Sequence, residues 1–206
     1  MKFNGFTNED FETFTIDGLD ERMEAIRGRI QPKFHELGQA LTDDLASLLQ
    51  KEMFLHIAKH ARRTVNPPKD TWLAIADNKR GYKQHPHFQV GLFDDHLFIW
   101  LAFIYELPNK ENIAKKFLEH LDKVVDITPE EYYVSLDHTK KDAKPLQETD
   151  LKKALERFRD VKKAEFLIGR HFRAEDPIVR DGDKLYKVIR ETYETLLPLY
   201  KLSFDK

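Results

Sequence analysis

The chain has no cysteine, which excludes a disulfide framework, a thiolate nucleophile and a cysteine-ligated metal. Its eight glycines form neither a dinucleotide fingerprint nor a phosphate-binding P-loop. Only three serines occur, Ser47, Ser135 and Ser203, and none lies in a G-x-S-x-G nucleophile turn. His35-Glu36 is followed by Gln39 instead of the second histidine that a metalloprotease helix needs, and no EF-hand loop is present. The longest apolar run, Leu97 to Tyr105, falls well short of the ~20 residues that span a bilayer. The stretch from Met1 to Phe6 lacks the apolar core of a signal peptide, so a cytoplasmic location is expected. No metal and no cofactor is expected.

What is present suits one folded unit. At 206 residues, 41% hydrophobic, 34% charged and with 15 phenylalanines, the chain can bury a phenylalanine-rich core as a single domain over 1–206. Met23, Ile26, Ile30, Phe34, Leu37, Leu41, Leu45 and Leu48 recur at steps of three and four, the stripe of an amphipathic helix. Pro32 should divide it near Gln31. Phe54, Leu55 and Ala58 are expected to continue as a short helix ending before Asn66-Pro67-Pro68. The period then changes: Trp72 to Ala76 predicts a strand, and Phe88, Val90 and Leu92 alternate as in a half-buried strand. Asp94-Asp95 offers a tight turn, and Leu97 to Tyr105 predicts a central strand. Asn109 should cap a helix carrying Ile113, Phe117, Leu121 and Val125. Tyr132 to Leu136 predicts a strand, Thr139 to Glu148 an exposed loop, and Thr149 or Asp150 the start of a helix with Leu151, Leu155, Phe158 and Val161. Ala164 to Phe172 predicts a further strand, and Asp181-Gly182-Asp183 opens a last helix stopped by Pro198. The expected fold class is α+β, a mostly antiparallel sheet of about five strands with helices packed on it.

Charge is distributed unevenly. Between Lys59 and His87 seven Lys/Arg stand against Asp70 and Asp77, a local charge of +5 in a chain of net charge −2. Such an island is a candidate anion site. Its first part, Lys59, Arg62 and Arg63, is expected at a helix end, where cations also simply complement the helix dipole. Its second part, Lys79, Arg80, Tyr82, Lys83, His85 and His87, lies between two predicted strands. Arginine can grip phosphate or carboxylate through two parallel hydrogen bonds, Gly81 frees the backbone to turn, and Tyr82 or Trp72 could stack on a ring. The bland alternative is a solvated loop with Tyr82 and Trp72 serving the core.

His56 and His60 would share a helix face, and His85 and His87 lie two apart, which invites an imidazole metal cage. The cationic surroundings oppose that. Asp137-His138 ends a predicted strand where a general base could sit, although strand neighbours point to opposite faces. Arg170-His171 raises the same question. Weak catalytic candidates are therefore His87, His138 and Asp137, with Arg80 or Arg170 for charge stabilisation.

Ala58-Lys59-His60-Ala61-Arg62-Arg63, Val65-Asn66-Pro67-Pro68-Lys69-Asp70-Thr71-Trp72, Asn78-Lys79-Arg80-Gly81-Tyr82-Lys83, Pro86-His87-Phe88-Gln89 and Leu136-Asp137-His138 are long and unusual strings. On these the chain resembles the YktB-like family of uncharacterised proteins from Bacillus, Staphylococcus and related bacteria, over essentially its whole length. The resemblance implies a single α+β domain in a cytoplasmic bacterial protein, and it implies no activity and no catalytic residue. From charge and spacing the leading expectation is binding of an anionic, phosphate-bearing ligand (a nucleotide, metabolite or nucleic acid) at a basic cleft. An interaction protein docking an acidic protein partner comes next, and an enzyme with a histidine general base third. No membrane partner is expected.

Overall fold

The computed structural model describes residues 2–204. The apolar stripe of the first half folds as helix α2 (Leu19–Ala25), a π-helical turn (Ile26–Ile30) and helix α3 (Gln31–Leu49). The division expected at Gln31 falls at that π turn. Pro32 sits at the second position of α3, directly after the π turn. A short helix α1 (Asn8–Glu12) precedes, its Thr7 and Asp10 closing a capping box.

Phe54, Leu55 and Ala58 do not prolong the helical region. Strand β1 (Phe54–Ile57) pairs antiparallel with β2 (Thr71–Ala76), Phe54 facing Ala76 and Ile57 facing Leu73. A four-residue segment with three apolar positions is too short for its period to separate strand from helix, and the ladder decides. The correction carries Lys59, Arg62 and Arg63 from a helix end into the loop after β1, where the Arg63 N–H bonds the His60 carbonyl. It also removes His56 and His60 from any shared helix face.

Strands β3 (His87–Leu92) and β4 (His96–Phe103) form the expected hairpin around Asp94-Asp95, and β5 (Tyr133–Ser135) and β7 (Phe166–Arg173) follow the predicted runs. The loop expected over Thr139 to Glu148 contains a two-residue strand, β6 (Lys144–Pro145). The sheet therefore has seven strands, not about five, in the order β1-β2-β3-β4-β7-β5-β6, and every described pairing is antiparallel. The fold is α+β with one antiparallel sheet.

One face of this sheet carries the main core. Phe88, Val90, Ile99, Leu101, Phe103, Phe166 and Ile168 point to α3, to α4 (Lys110–Glu119), α5 (Leu121–Ile127) and α6 (Leu151–Asp160), and to the long α7 (Gly182–Leu202). Phe88 packs on Tyr193 and Tyr200 of α7 with ring centroids 4.7 and 5.1 Å apart. Phe103 meets Phe117 edge to face at 5.2 Å. Each such ring buries a large apolar area, so the phenylalanine content is spent here. Pro198 does not stop α7, which continues to Leu202 because its buried face, through Leu197, Leu199 and Tyr200, outweighs one lost backbone bond.

On the opposite face lies a smaller apolar cluster of Phe93, Phe98, Trp100, Ala102, Ile104 and Leu167, with Trp72, Tyr133 and Ala143 at its margin. It draws on no α-helix among the described residues. The register puts His56, Ala74, Gln89, Trp100, Gly169 and Tyr133 in one row across this face. Loops cover it: residues 58–70 at one side and 136–143 at the other, the latter tied down by a Lys141–Asp94 ion pair.

Candidate functional site

Where the 58–70 loop, the 77–86 loop and the 136–139 turn meet, a cleft of about 780 Å³ opens, lined by Arg22, Arg63, Lys69, Asp70, Trp72, Lys83, Tyr105 and His138 among others. A smaller depression of about 350 Å³ adjoins it, shares Arg63, Trp72 and Lys83, and adds Lys59, His60, Arg62 and Tyr82. Two halves of the charge island, separate in sequence, thus border the same space.

Arg22 comes from α2. It is only 8% exposed, and its Nε and Nη1 donate to the carbonyls of Ile16 and Pro68 at 2.8 and 2.9 Å. Those bonds fasten the Pro67-Pro68 loop to the helix. Among the described residues no carboxylate lies within ion-pair distance of this guanidinium; burial lowers its pKa, and the more distant Asp17 and Asp94 oppose that. Arg63, which is exposed, donates to the Asn66 carbonyl, and Lys83 lies over the Trp72 ring with Glu106 3.9 Å away. A buried cation without a close counter-ion, as Arg22 is, carries a desolvation cost that an approaching anion offsets.

Asp70 is the one carboxylate lining the main cleft. It is 6% exposed, and burial pushes its pKa up to about 6 against the pull of His138, Arg63 and Lys83. Its carboxylate makes no hydrogen bond to another residue's side chain among the described residues. Beside it, Trp72 Nε1 donates to the Tyr82 hydroxyl at 2.9 Å, which locks both rings, and burial raises the phenol to about 12. His60, T-shaped against Trp72, is driven down to about 4 by burial and by Arg63 and Lys83.

His138 stands at the far wall. Glu165, 3% exposed at the foot of β7, accepts from the His138 backbone N–H and from its Nδ1, both at 2.8 Å. That fixes the ring and leaves Nε2 as its free nitrogen: it bonds to no other group among the described residues and is not sealed from solvent. Asp137 turns away, accepting from the Thr139 N–H and hydroxyl at 3.0 and 2.6 Å. Asp137, His138 and Glu165 lie close enough together to hold a cation, but two of the three are committed to each other and the third to Thr139.

The remaining sequence candidates fall elsewhere. His87 is fully buried, donating from Nδ1 to the His85 carbonyl and accepting at Nε2 from Gln89, both at 2.8 Å; burial holds its pKa down to about 3. His85 accepts from Asn78 Nδ2 and faces Asp77. Lys79 lies over the Phe54 ring, and Arg80 is exposed outside both cavities. Arg170, which pairs with Ile99 across the sheet, packs over Phe172 on the helix-covered face, away from His138. His171 stacks on Tyr133. Arg22, Lys69, Asp70 and Glu165 were not singled out by the sequence. Arg22 and Glu165 lie in unremarkable helix and strand patterns, and Asp70 read only as a counter-charge within the island.

The model of the Domain of unknown function DUF1054 matches residues 6–200. The chain belongs to that family. It is 67% identical over 203 residues to a UPF0637 protein of Oceanobacillus iheyensis, covering 98% of each chain. To a UPF0637 protein of Shouchella clausii it is 66% identical over 203 residues, covering 98% of this chain and 96% of the relative. A Listeria monocytogenes UPF0637 protein is 50% identical over 205 residues, with both chains covered in full. These relatives carry no activity in their names. No helix among the described residues is long and apolar enough to cross a membrane.

Proposed function

We propose that this DUF1054 chain is a cytoplasmic single-domain protein that binds a phosphate-bearing anion in the cleft between the 58–70 and 77–86 loops. The observation that carries the proposal is that Arg22, Arg63, Lys69 and Lys83 line one cavity and bring no close carboxylate partner into it except Asp70 and the edge-on Glu106. Guanidinium groups anchored by backbone carbonyls are preorganised, so little rotamer entropy is lost when an anion arrives. Trp72 and Tyr105 add ring faces on which a base could stack. The cleft is small enough to favour a nucleotide-sized ligand over a long nucleic-acid track.

The test is thermal shift and titration calorimetry with inorganic pyrophosphate, ATP and short DNA and RNA strands at low and moderate salt. A ligand at 100 times its Kd stabilises by about 2.7 kcal/mol. The expected result is a salt-tolerant shift with pyrophosphate or ATP that Arg63→Ala and Lys83→Ala abolish. Stabilisation only by strands, vanishing with salt, identifies a nucleic-acid site instead. Equal affinities for wild type and both variants sink the proposal.

A second reading has one observation behind it. Tyr105, which lines the cleft, is 42% exposed, and Val65, in the loop between the lining residues Arg63 and Asn66, is 76% exposed. An acidic protein partner presenting an apolar side chain would fit there. Silence across the anion panel would favour it.

A further inference from the structure

The cleft holds more than cations. His138 and Asp70 line the same cavity and differ in what holds them. The His138 ring is clamped from behind: Glu165 takes the Nδ1–H and the backbone N–H, so the tautomer is set and Nε2 is left as a lone-pair acceptor. This is the geometry of a carboxylate-oriented general base. Glu165 itself is buried and has no other side-chain partner among the described residues, so its contacts are all given to His138. Asp70, by contrast, is a buried carboxylate with no donor side chain. It retains its proton to higher pH than an ordinary aspartate because burial disfavours its charge. Two titratable groups with environments this different, lining one cavity, match the division between a base and an acid.

We propose that the cleft is catalytic, and that it hydrolyses a phosphate ester with His138 as general base, Asp70 as general acid and Arg63 and Lys83 steadying the phosphoryl oxygens. The proposal rests on the reading of the cleft as an anion site. His138 Nε2 removes a proton from a water molecule whose oxygen forms a bond to phosphorus. The bond from phosphorus to the ester oxygen breaks, and the departing oxygen takes the Asp70 proton. Water and ester become phosphate, or a phosphomonoester, and an alcohol. A proton passed from His138 through solvent to Asp70 resets the pair. Charge stabilisation comes from Arg22, Arg63 and Lys83, groups that do not change protonation during the step. Glu165 is a positioning residue.

The probes are p-nitrophenyl phosphate, bis(p-nitrophenyl) phosphate and phenyl phosphate, incubated with the full chain with and without EDTA. The expected result is EDTA-resistant release of p-nitrophenol with a bell-shaped pH profile. His138→Gln lowers kcat/KM by at least about 100-fold, the ordinary contribution of a general base. Glu165→Gln lowers kcat and moves the limb of the profile that His138 sets, which a merely structural glutamate would not do. Asp70→Asn slows phenyl phosphate more than p-nitrophenyl phosphate, since the poorer leaving group needs the proton. A thermal melt of each variant checks folding, and the wild-type pH profile needs no variant at all. No release by wild type, release indifferent to His138→Gln, a flat pH profile, or activity removed by EDTA would each overturn the catalytic proposal. If pyrophosphate still stabilises wild type but not Arg63→Ala, anion binding survives and catalysis alone has failed.

Discussion

Glu165 receives two hydrogen bonds from His138, one from the backbone N–H and one from Nδ1, each 2.8 Å long, across 27 residues of sequence. The pair staples the turn after β5 to the foot of β7 and closes one wall of the cleft. Charge-assisted bonds to a buried carboxylate contribute about 1.5–3 kcal/mol. Glu165→Ala should therefore lower stability by about 2 kcal/mol in urea titration, and hydrogen exchange should accelerate at His138 and Thr139. Unchanged exchange there would show that the turn is held by something else.

Asp70 works against the fold at neutral pH. Its pKa is raised from 3.8 to about 6, so the folded state binds its proton more tightly than the unfolded state does. Stability from this group is present below pH 4 and is lost as pH rises through 6. Asp70→Asn should stabilise the protein at pH 7.5 by on the order of 1–2 kcal/mol, and the gain should disappear near pH 4. The same substitution should tighten pyrophosphate binding at pH 7.5, because a negative charge leaves the cleft. Calorimetry and urea titration at the two pH values read both effects.

Buried histidines act with the opposite sign. His171 and His87 titrate near 3 and His60 near 4 in the folded state, each lowered first by burial, against 6.5 when unfolded. Their contribution is complete above pH 6.5 and falls progressively as the solution is acidified, since the unfolded chain then binds more protons. Three such groups outweigh the single opposing Asp70, so stability should drop steeply between pH 6.5 and 4. His171→Phe keeps a ring against Tyr133 and Trp100 while removing a titrating group whose Nε2 is buried without a partner. This variant should show a shallower pH dependence in urea titrations across that window.

Lys110 is 7% exposed, and its ammonium donates to the carbonyls of Phe158 at 2.7 Å, Val161 at 2.6 Å and Ala164 at 3.3 Å. It supplies the positive charge that the C-terminus of α6 needs and satisfies carbonyls left over where the helix ends. Lys110→Met keeps the stem but takes the ammonium from the buried carbonyls of Phe158 and Ala164, while the Val161 carbonyl keeps the Ala164 N–H. A loss of about 2–4 kcal/mol is expected in chemical denaturation. A loss below about 0.5 kcal/mol would mean that water replaces the ammonium.

Much of this molecule was legible in the chain. The β3–β4 hairpin followed from the alternation of Phe88, Val90 and Leu92 and the unbroken run after Asp94-Asp95, and α7 from its Asp181 cap and the Leu185, Val188, Ile189 spacing. Phe54 to Ile57 was not legible, because three apolar residues in a four-residue segment fit either period and only the β2 partner chooses. Pro198 misled for a related reason: the local breaker signal is worth one backbone bond, whereas the buried face of α7 is worth several side chains.

The charge pattern by itself determined that residues 59–87 form a cationic island, because charge is additive along a chain and needs no geometry. The spacing of the apolar residues determined the fold class, because α and β periods are local. Only the tertiary structure decided which charges meet. Arg22 reaches the cleft by bonding Pro68 across 46 residues, and Glu165 orients His138 across 27. Lys79, Arg80, His85 and His87, inside the island by sequence, point elsewhere. The direction of a side chain is set by strand parity and loop path, and the loops over this face are positioned by contacts made far away along the chain.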